Sequence, residues 1–306
     1  MDAQLTLGPV LFNWDPEKWR DFYFRIADEA PIDTVYVGEV VCSKRAPLFE
    51  PFIAETIERL AKGGKKVVFS TLAEVMLPRE RKMTEDLCAA DEYMVEANDA
   101  SALYRLRGKP HCVGPFVNAY NEETLAVLAE LGAKHFTLPP ELPGEAIPAM
   151  AVAAKRNKVS LEVQVYGRLP LAISARCYHA RAHGKMKDNC QYVCGEDADG
   201  MPLKTIDGQD FLVVNGVQTL SHLCLCLMGE LGVMRKAGIT AFRLSPHSHD
   251  MVGVAHLFRD VLDGKAEAAQ ATRKLEKMRP DMPLANGFFY RKPGHMWITG
   301  DTAQAA

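Results

Sequence analysis

The chain has 306 residues, 48% of them hydrophobic and 25% charged, with a formal net charge of -3. This is ordinary globular composition, enough for one large core or two small ones, and α/β barrels reach this length as one domain. The weak acidic balance gives no electrostatic footprint for nucleic acid beyond a local patch, and no run approaches the roughly 18 apolar residues of a membrane span.

The N-terminus, MDAQLTLGPV, has neither a basic region nor a long apolar one, so it does not read as a targeting segment, and a cytoplasmic protein is expected. From there, short apolar runs alternate with helical periodicity. LTLGPV (5–10) reads as the first strand. NWDPEKWRDFYFRIADEA follows as a helix, with Asp15 as N-cap and Pro16 at the first helical position. TVYVGE (34–39), KVVFST (66–71), EYMVEA (92–97), HCVGPFV (111–117), KHFTL (134–138), SLEVQVY (160–166) and TAFRLS (240–245) complete a set of eight strands. Helical segments between them include ETIERLAKGG, NEETLAVLAELGA, GEAIPAMAVAAKRNK and MGELGVMRKAGI. Strands alternating with helices imply parallel pairing, and eight of them predict an α/β fold of the (β/α)8 barrel type. A doubly wound open sheet is the alternative, but the G-x-G-x-x-G turn that usually marks it is missing after the first strand.

One connection is far too long. A single barrel domain over 1–306 carries an insertion and connection at 167–239, between strands seven and eight. Long connections of this kind are functional or disordered, and this one is rich in cysteine and aromatics. Its GEDADGMPLKTIDGQDFLVVNG stretch reads as turns and a short hairpin.

Three of the eight cysteines, Cys177, Cys190 and Cys194, lie in this insertion with the spacing C-x12-C-x3-C. Cys42, in GEVVCSKR, sits just past strand two. Both places belong to the carboxyl-end face of a barrel, so the four thiols can meet there. Four thiolates suit zinc or an iron–sulfur cluster. Zinc sites usually pair their ligands in C-x2-4-C knuckles, and the wide gap with a distant fourth ligand fits a cluster better. Zinc and a metal-free reading stay open at this level. Cys88, Cys112, Cys224 and Cys226 read as small core hydrophobes.

His179 and His183, four apart, are metal candidates or solvated neighbours of Arg176 and Arg181. Pro246-His247-Ser248-His249-Asp250 follows strand eight, where His247 or His249 can face substrate and Ser248 or Asp250 can cap the next helix. Glu39, Asn98, Asn118 and Arg243 are polar groups at strand ends. Glu162 and Tyr166 are both expected to point into the barrel.

LEVQVYGRLPLAISARC resembles the signature of the collagenase-like U32 peptidase family, a glutamate-bearing strand followed by a glycine and cysteines, on Glu162, Gly167 and Cys177. The opening GPVLFNW, the cysteine in VYVGEVVCSKR, YGRLPLAISARCYHAR and C-x12-C-x3-C resemble its UbiV-type branch, which serves oxygen-independent ubiquinone biosynthesis. That resemblance implies a [4Fe-4S] cluster on Cys42, Cys177, Cys190 and Cys194. It also implies a heterodimer with a UbiU-type partner, a UbiT-type lipid-binding protein, ubiquinone precursors as substrates and prephenate as the oxygen donor. The chain would then be a subunit of an O2-independent hydroxylase rather than a peptidase. Hydroxylation of tRNA bases, as in other relatives, and a non-catalytic zinc scaffold are the alternatives. The broader signature often has an aromatic where this chain has Gln164, and a further cysteine where it has Leu169 and Pro170. Neither G-x-S-x-G nor H-E-x-x-H is present to support peptidase chemistry.

Overall fold

The computed structural model describes residues 3–299. The ends of the 1–306 span, residues 1, 2 and 300–306, lie outside the described residues.

The first helix shows how local sequence sets an element. Asp15 Oδ1 accepts from the amides of Glu17 (3.1 Å) and Lys18 (3.2 Å), and Pro16 opens α1 (Pro16–Glu29). Two of the free N–H groups at the helix start are thereby satisfied. Trp19, Tyr23, Ile26 and Ala27 then recur at helical spacing and are buried. The pattern repeats along the chain. Strands β1 (Gln4–Leu7), β2 (Thr34–Val37), β3 (Lys66–Ser70), β4 (Met94–Ala97), β5 (His111–Val113) and β6 (Ala133–Thr137) alternate with α2 (Ala46–Lys62), α3 (Pro78–Ala89), α4 (Ala100–Leu106), α5 (Glu122–Glu130) and α6 (Ile147–Asn157). β7 (Ser160–Ile173) follows α6.

Beyond β7 come the short α7 (Tyr178–Ala182), β8 (Met201–Lys204), β9 (Asp210–Asn215) and β10 (Gln218–Cys226). α8 (Leu231–Ala237), β11 (Ala241–Leu244), α9 (Met251–Leu262), α10 (Ala268–Met278) and β12 (Leu284–Ala285) end the order.

β1 to β7 pair in parallel in sequence order, β7 pairs in parallel with β11, and β11 pairs in parallel with β1. The barrel is therefore closed, with eight parallel strands surrounded by helices, and all eight expected strands take part. Closure removes every edge from the parallel sheet.

β7 is much longer than the run of apolar residues foretells. Its first half is a barrel stave. Its second half, from Tyr166 onward, pairs antiparallel with β10, and β9 and β8 extend that sheet. The expected hairpin is β8–β9, and the apolar LCLCLM run is part of β10, which also pairs with β12.

The main core lies between the outer barrel faces and the helices, where Leu5, Val35, Phe242 and Leu244 meet Ile26 and Phe258. The barrel interior is unusually polar. Arg243 Nη2 donates to Glu96 Oε1 (2.6 Å) and Thr137 Oγ1 (2.8 Å), its Nε donates to Glu162 Oε2 (2.5 Å), and its guanidinium lies 3.9 Å from the Tyr36 ring centroid. Thr6 and Thr137 also donate to Glu162. Glu162 thus points inward as expected.

Tyr166 does not. The β7–β11 register slips between Arg243 and Leu244, so that Leu244, an outward core residue, stands opposite Tyr166. The extra residue of this bulge turns Tyr166 to the outer face, against Phe258. No helix among the described residues is long and apolar enough to cross a membrane.

Candidate functional site

Cys42, Cys177, Cys190 and Cys194 line one small pocket at the carboxyl-end face of the barrel, together with Lys44, Arg45, Lys187, Tyr192 and Gly216. All are free thiols; Cys42 is half-buried and the other three are buried. The loop after β2 brings Cys42, and the insertion brings the rest.

Each cysteine is held locally. Glu39 Oε1 accepts from the amides of Val41 and Cys42, both at 2.8 Å, and this wraps the loop after β2 around one carboxylate. Ser43 Oγ donates to Glu80 Oε1 (2.7 Å), tying the same loop to α3. Cys177 caps α7, its Sγ accepting from the Ala180 amide at 3.4 Å. Between Cys190 and Cys194, Gln191 and Tyr192 both adopt left-handed backbone (φ 51° and 55°). Two successive non-glycine residues in that region are strained, and such strain gathers at functional sites. The sharp turn lets both cysteines face the same pocket.

The surroundings are apolar on one side and cationic on the other. Val40, Val41, Val217 and Leu11 pack with Cys177 and Cys190. Burial pushes the Cys42 and Cys177 thiols up from the usual range. Arg45 is buried, donating from Nη1 to Leu11 O and from Nη2 to Asn215 Oδ1, both at 2.9 Å. The guanidinium also faces the Cys194 thiol, and its charge bears on Glu39, Cys194 and Cys42. Lys44 Nζ donates to the carbonyls of Lys187 (2.8 Å) and Asp188 (2.9 Å), clamping the two cysteine segments together. Arg176 and Arg181 are exposed, and neither they nor Lys185 line the pocket; the cations beside the thiols are Lys44, Arg45 and Lys187.

Among the described residues, no group of three or more His, Cys, Asp or Glu is arranged to hold a single metal ion. All four sulfurs belong to residues that line one pocket, and a cuboidal cluster asks for four separate thiolates because each binds a different iron. The all-thiol donor set and the cationic wall of Lys44, Arg45 and Lys187 fit a cluster carrying negative charge.

The remaining cysteines sit elsewhere. Cys88 packs in a small cluster with Val95 and Leu106, Cys112 lies in the barrel with Tyr36 and Val68, and Cys224 and Cys226 belong to the main core. His179 is buried, with Nδ1 3.2 Å from Val214 O and Nε2 3.0 Å from Asp197 Oδ2, and its ring stacks on His183 at 5.3 Å. These contacts tie α7 to β9. Asn98 donates to Thr71 O and Glu96 inside the barrel end, and Asn118 is exposed on a left-handed turn. Ser248 makes its hydrogen bonds to Asp199, whereas Asp250 takes the N-cap position of α9 without a side-chain capping bond, its carboxylate accepting from Arg25 instead.

Arg45 and Lys187 were not singled out by the sequence. An arginine two residues after a polar Ser43 reads as surface; only the closed fold puts it under the thiols.

Fold and site together define a (β/α)8 barrel with a thiol-lined pocket built from a strand-end loop and an insertion. The chain belongs to Peptidase family U32, whose profile it matches over residues 17–299. Among solved structures, it is similar to N-acetylneuraminate lyase from Fusobacterium nucleatum (8% identity, TM-score 0.50, covering 99% of this chain and 94% of that one). It is also similar to dihydrodipicolinate synthase from Aquifex aeolicus (11%, TM-score 0.44, 92% and 81%). Phospho-2-dehydro-3-deoxyheptonate aldolase from Thermotoga maritima matches at 10% identity and TM-score 0.44, covering 92% of this chain and 71% of that one. At such identities the likeness to the lyase concerns the fold alone.

Proposed function

We propose that this chain is the iron–sulfur subunit of an O2-independent hydroxylase acting on ubiquinone precursors, of the UbiV-type branch of the family. It would work beside a UbiU-type partner and a UbiT-type lipid-binding protein, with prephenate as the oxygen donor. The observation that supports this reading is the gathering of Cys42 with Cys177, Cys190 and Cys194 around one pocket at the barrel face where catalytic loops collect.

A [4Fe-4S] cluster bound by these four thiolates would have its irons saturated and would supply one-electron transfer rather than an open Lewis-acid site. The chain's own part is to hold the ligands and set the field. Glu39 fixes the Cys42 loop, Lys44 closes it onto the 187–188 segment, and Arg45 and Lys187 place positive charge beside the sulfurs. Positive charge beside the sulfurs favours the reduced, more negative state.

The test is anaerobic purification followed by iron, sulfide and zinc analysis beside the visible spectrum. Roughly four iron and four sulfide per chain, lost in Cys42→Ala but kept in Cys88→Ala, is the expected result. One zinc without sulfide would replace the hydroxylase reading with a structural zinc loop.

A further inference from the structure

A separate cavity, of about 760 Å³, opens at the amino end of the barrel, away from the cysteines. Seven of the eight parallel strands contribute to its lining, and Thr240 stands just before the eighth. Layers of bulky branched side chains ordinarily fill a barrel of this kind. Here the last layer falls on Thr34, Ser160 and Thr240, which are short, and on Lys66 and Lys134, which are exposed. Long lysine stems carry their charge toward water and do not fill an axis. A well is left along the barrel axis.

The well has two zones. Its inner wall is the hydrophobic cluster of Tyr36, Val68, Met94 and Cys112. The carboxylate of Glu162 is not part of the lining. Thr6 and His135 stand before it, Thr6 Oγ1 donating to Glu162 Oε1 at 2.6 Å and His135 Nε2 lying 3.7 Å from the same oxygen. His135 is fixed there by Ser160, whose Oγ is 2.7 Å from Nδ1.

At the mouth, most of the charge is already engaged. Asp33 accepts from the Leu5 amide (2.7 Å) and from Arg259, which also donates to the carbonyls of Ala3 and Pro31. Asp263 pairs with Lys265 at 2.8 Å. The charges left over are Lys66 and Lys134: among the described residues neither ammonium group has an ion-pair or hydrogen-bond partner. The Thr34 hydroxyl also lacks a hydrogen-bond partner, although the residue is only 6% exposed and lines the well. Buried hydroxyls are seldom left unpaired, and one on a cavity wall is available to an occupant.

We infer that this well binds a small phosphate monoester, its phosphate held at the mouth by Lys66, Lys134 and the Thr34 hydroxyl and its apolar body against Val68 and Met94. An ammonium group is a compact point charge that suits a tetrahedral phosphate, whereas planar carboxylates favour the arginine fork. Two such groups match the near-dianionic charge of a monoester. The site is independent of the proposed function, since it shares no residue with the cysteine pocket and needs no iron.

The probes are n-butyl phosphate, inorganic phosphate and n-butanol, titrated calorimetrically into the full chain at pH 8. Butyl phosphate should bind saturably and raise the thermal midpoint. Inorganic phosphate should bind at least about ten-fold more weakly, because the inner wall stays wet, and butanol should not saturate. Lys66→Gln and Lys134→Gln, both at exposed positions, should each weaken butyl phosphate roughly ten-fold, the size of one charge-assisted hydrogen bond. Thr34→Val should weaken it less. Lys236→Gln, an exposed lysine outside the well, should leave the affinity unchanged. The absence of saturable binding overturns the inference. So does equal affinity for inorganic and butyl phosphate, which would leave the inner wall unused, or undiminished affinity in the Lys66 and Lys134 variants.

Discussion

The amide of Cys42 donates a 2.8 Å hydrogen bond to the carboxylate of Glu39, three residues upstream, and the Val41 amide donates to the same oxygen. Burial raises the Glu39 carboxyl above its ordinary range, opposed by Arg45 and by these two amides. Glu39→Gln keeps one acceptor oxygen and should retain most of the iron. Glu39→Ala removes the acceptor, leaves two buried amides unpaired at a cost of about 2–4 kcal/mol, and should lose most of it. Iron per chain beside a thermal melt checks both variants.

Removing positive charge beside the thiols should make reduction harder. Lys187→Gln, which deletes a cation of the pocket lining, is expected to lower the midpoint potential. Arg176→Ala, an exposed position outside the lining, should leave it unchanged. Potentiometry on the two variants gives the comparison, and a shift with Arg176→Ala alone would contradict the assignment of Lys187.

The buried cluster inside the barrel predicts acid lability. Burial would raise the Glu162 carboxyl, but Arg243, His135 and Thr6 outweigh it and hold the group well below the carboxylate range. A folded-state value below the unfolded one gives stability that is present above the unfolded value and lost as pH falls through and below the ordinary carboxylate range. The denaturation midpoint should therefore drop below about pH 4.5. Glu162→Gln should flatten that acid limb. At neutral pH it should cost about 3–5 kcal/mol, because Arg243 loses a buried partner.

Gly167 is the hinge of β7. Its φ is +112°, and a Cβ there would lie 2.5 Å from Ser245 Cβ. Gly167→Ala should destabilise the chain by more than about 2 kcal/mol, from backbone strain and overlap together. Differential scanning fluorimetry tests this, with Gly64→Ala, open in space but also at positive φ (+73°), giving the strain alone.

The barrel strands were legible because each is a short apolar run bounded by turn residues, and closure needs eight of them. The continuation of β7 was not, since Gly167 and Pro170 punctuate the sequence where the strand in fact runs on. The orientation of Tyr166 depends on one bulge, and a single extra residue reverses an alternation argument. The four cysteines could be grouped from their chemistry and their places at strand ends. Arg45 could not, because a buried arginine is defined by its partners Leu11 and Asn215, and nothing local announces either.

β7 is one strand with two sets of partners, half a barrel stave and half the base of the insertion that carries three of the pocket cysteines. This sharing sets an order of assembly. The β7–β11 pairing that closes the barrel requires residues synthesised after the last of the four cysteines, and Cys42 waits through most of translation for its companions. A nascent chain released before β11 would carry the thiols without the frame that gathers them. An inorganic group held by all four thiols would therefore need a largely formed tertiary structure before its ligands came together.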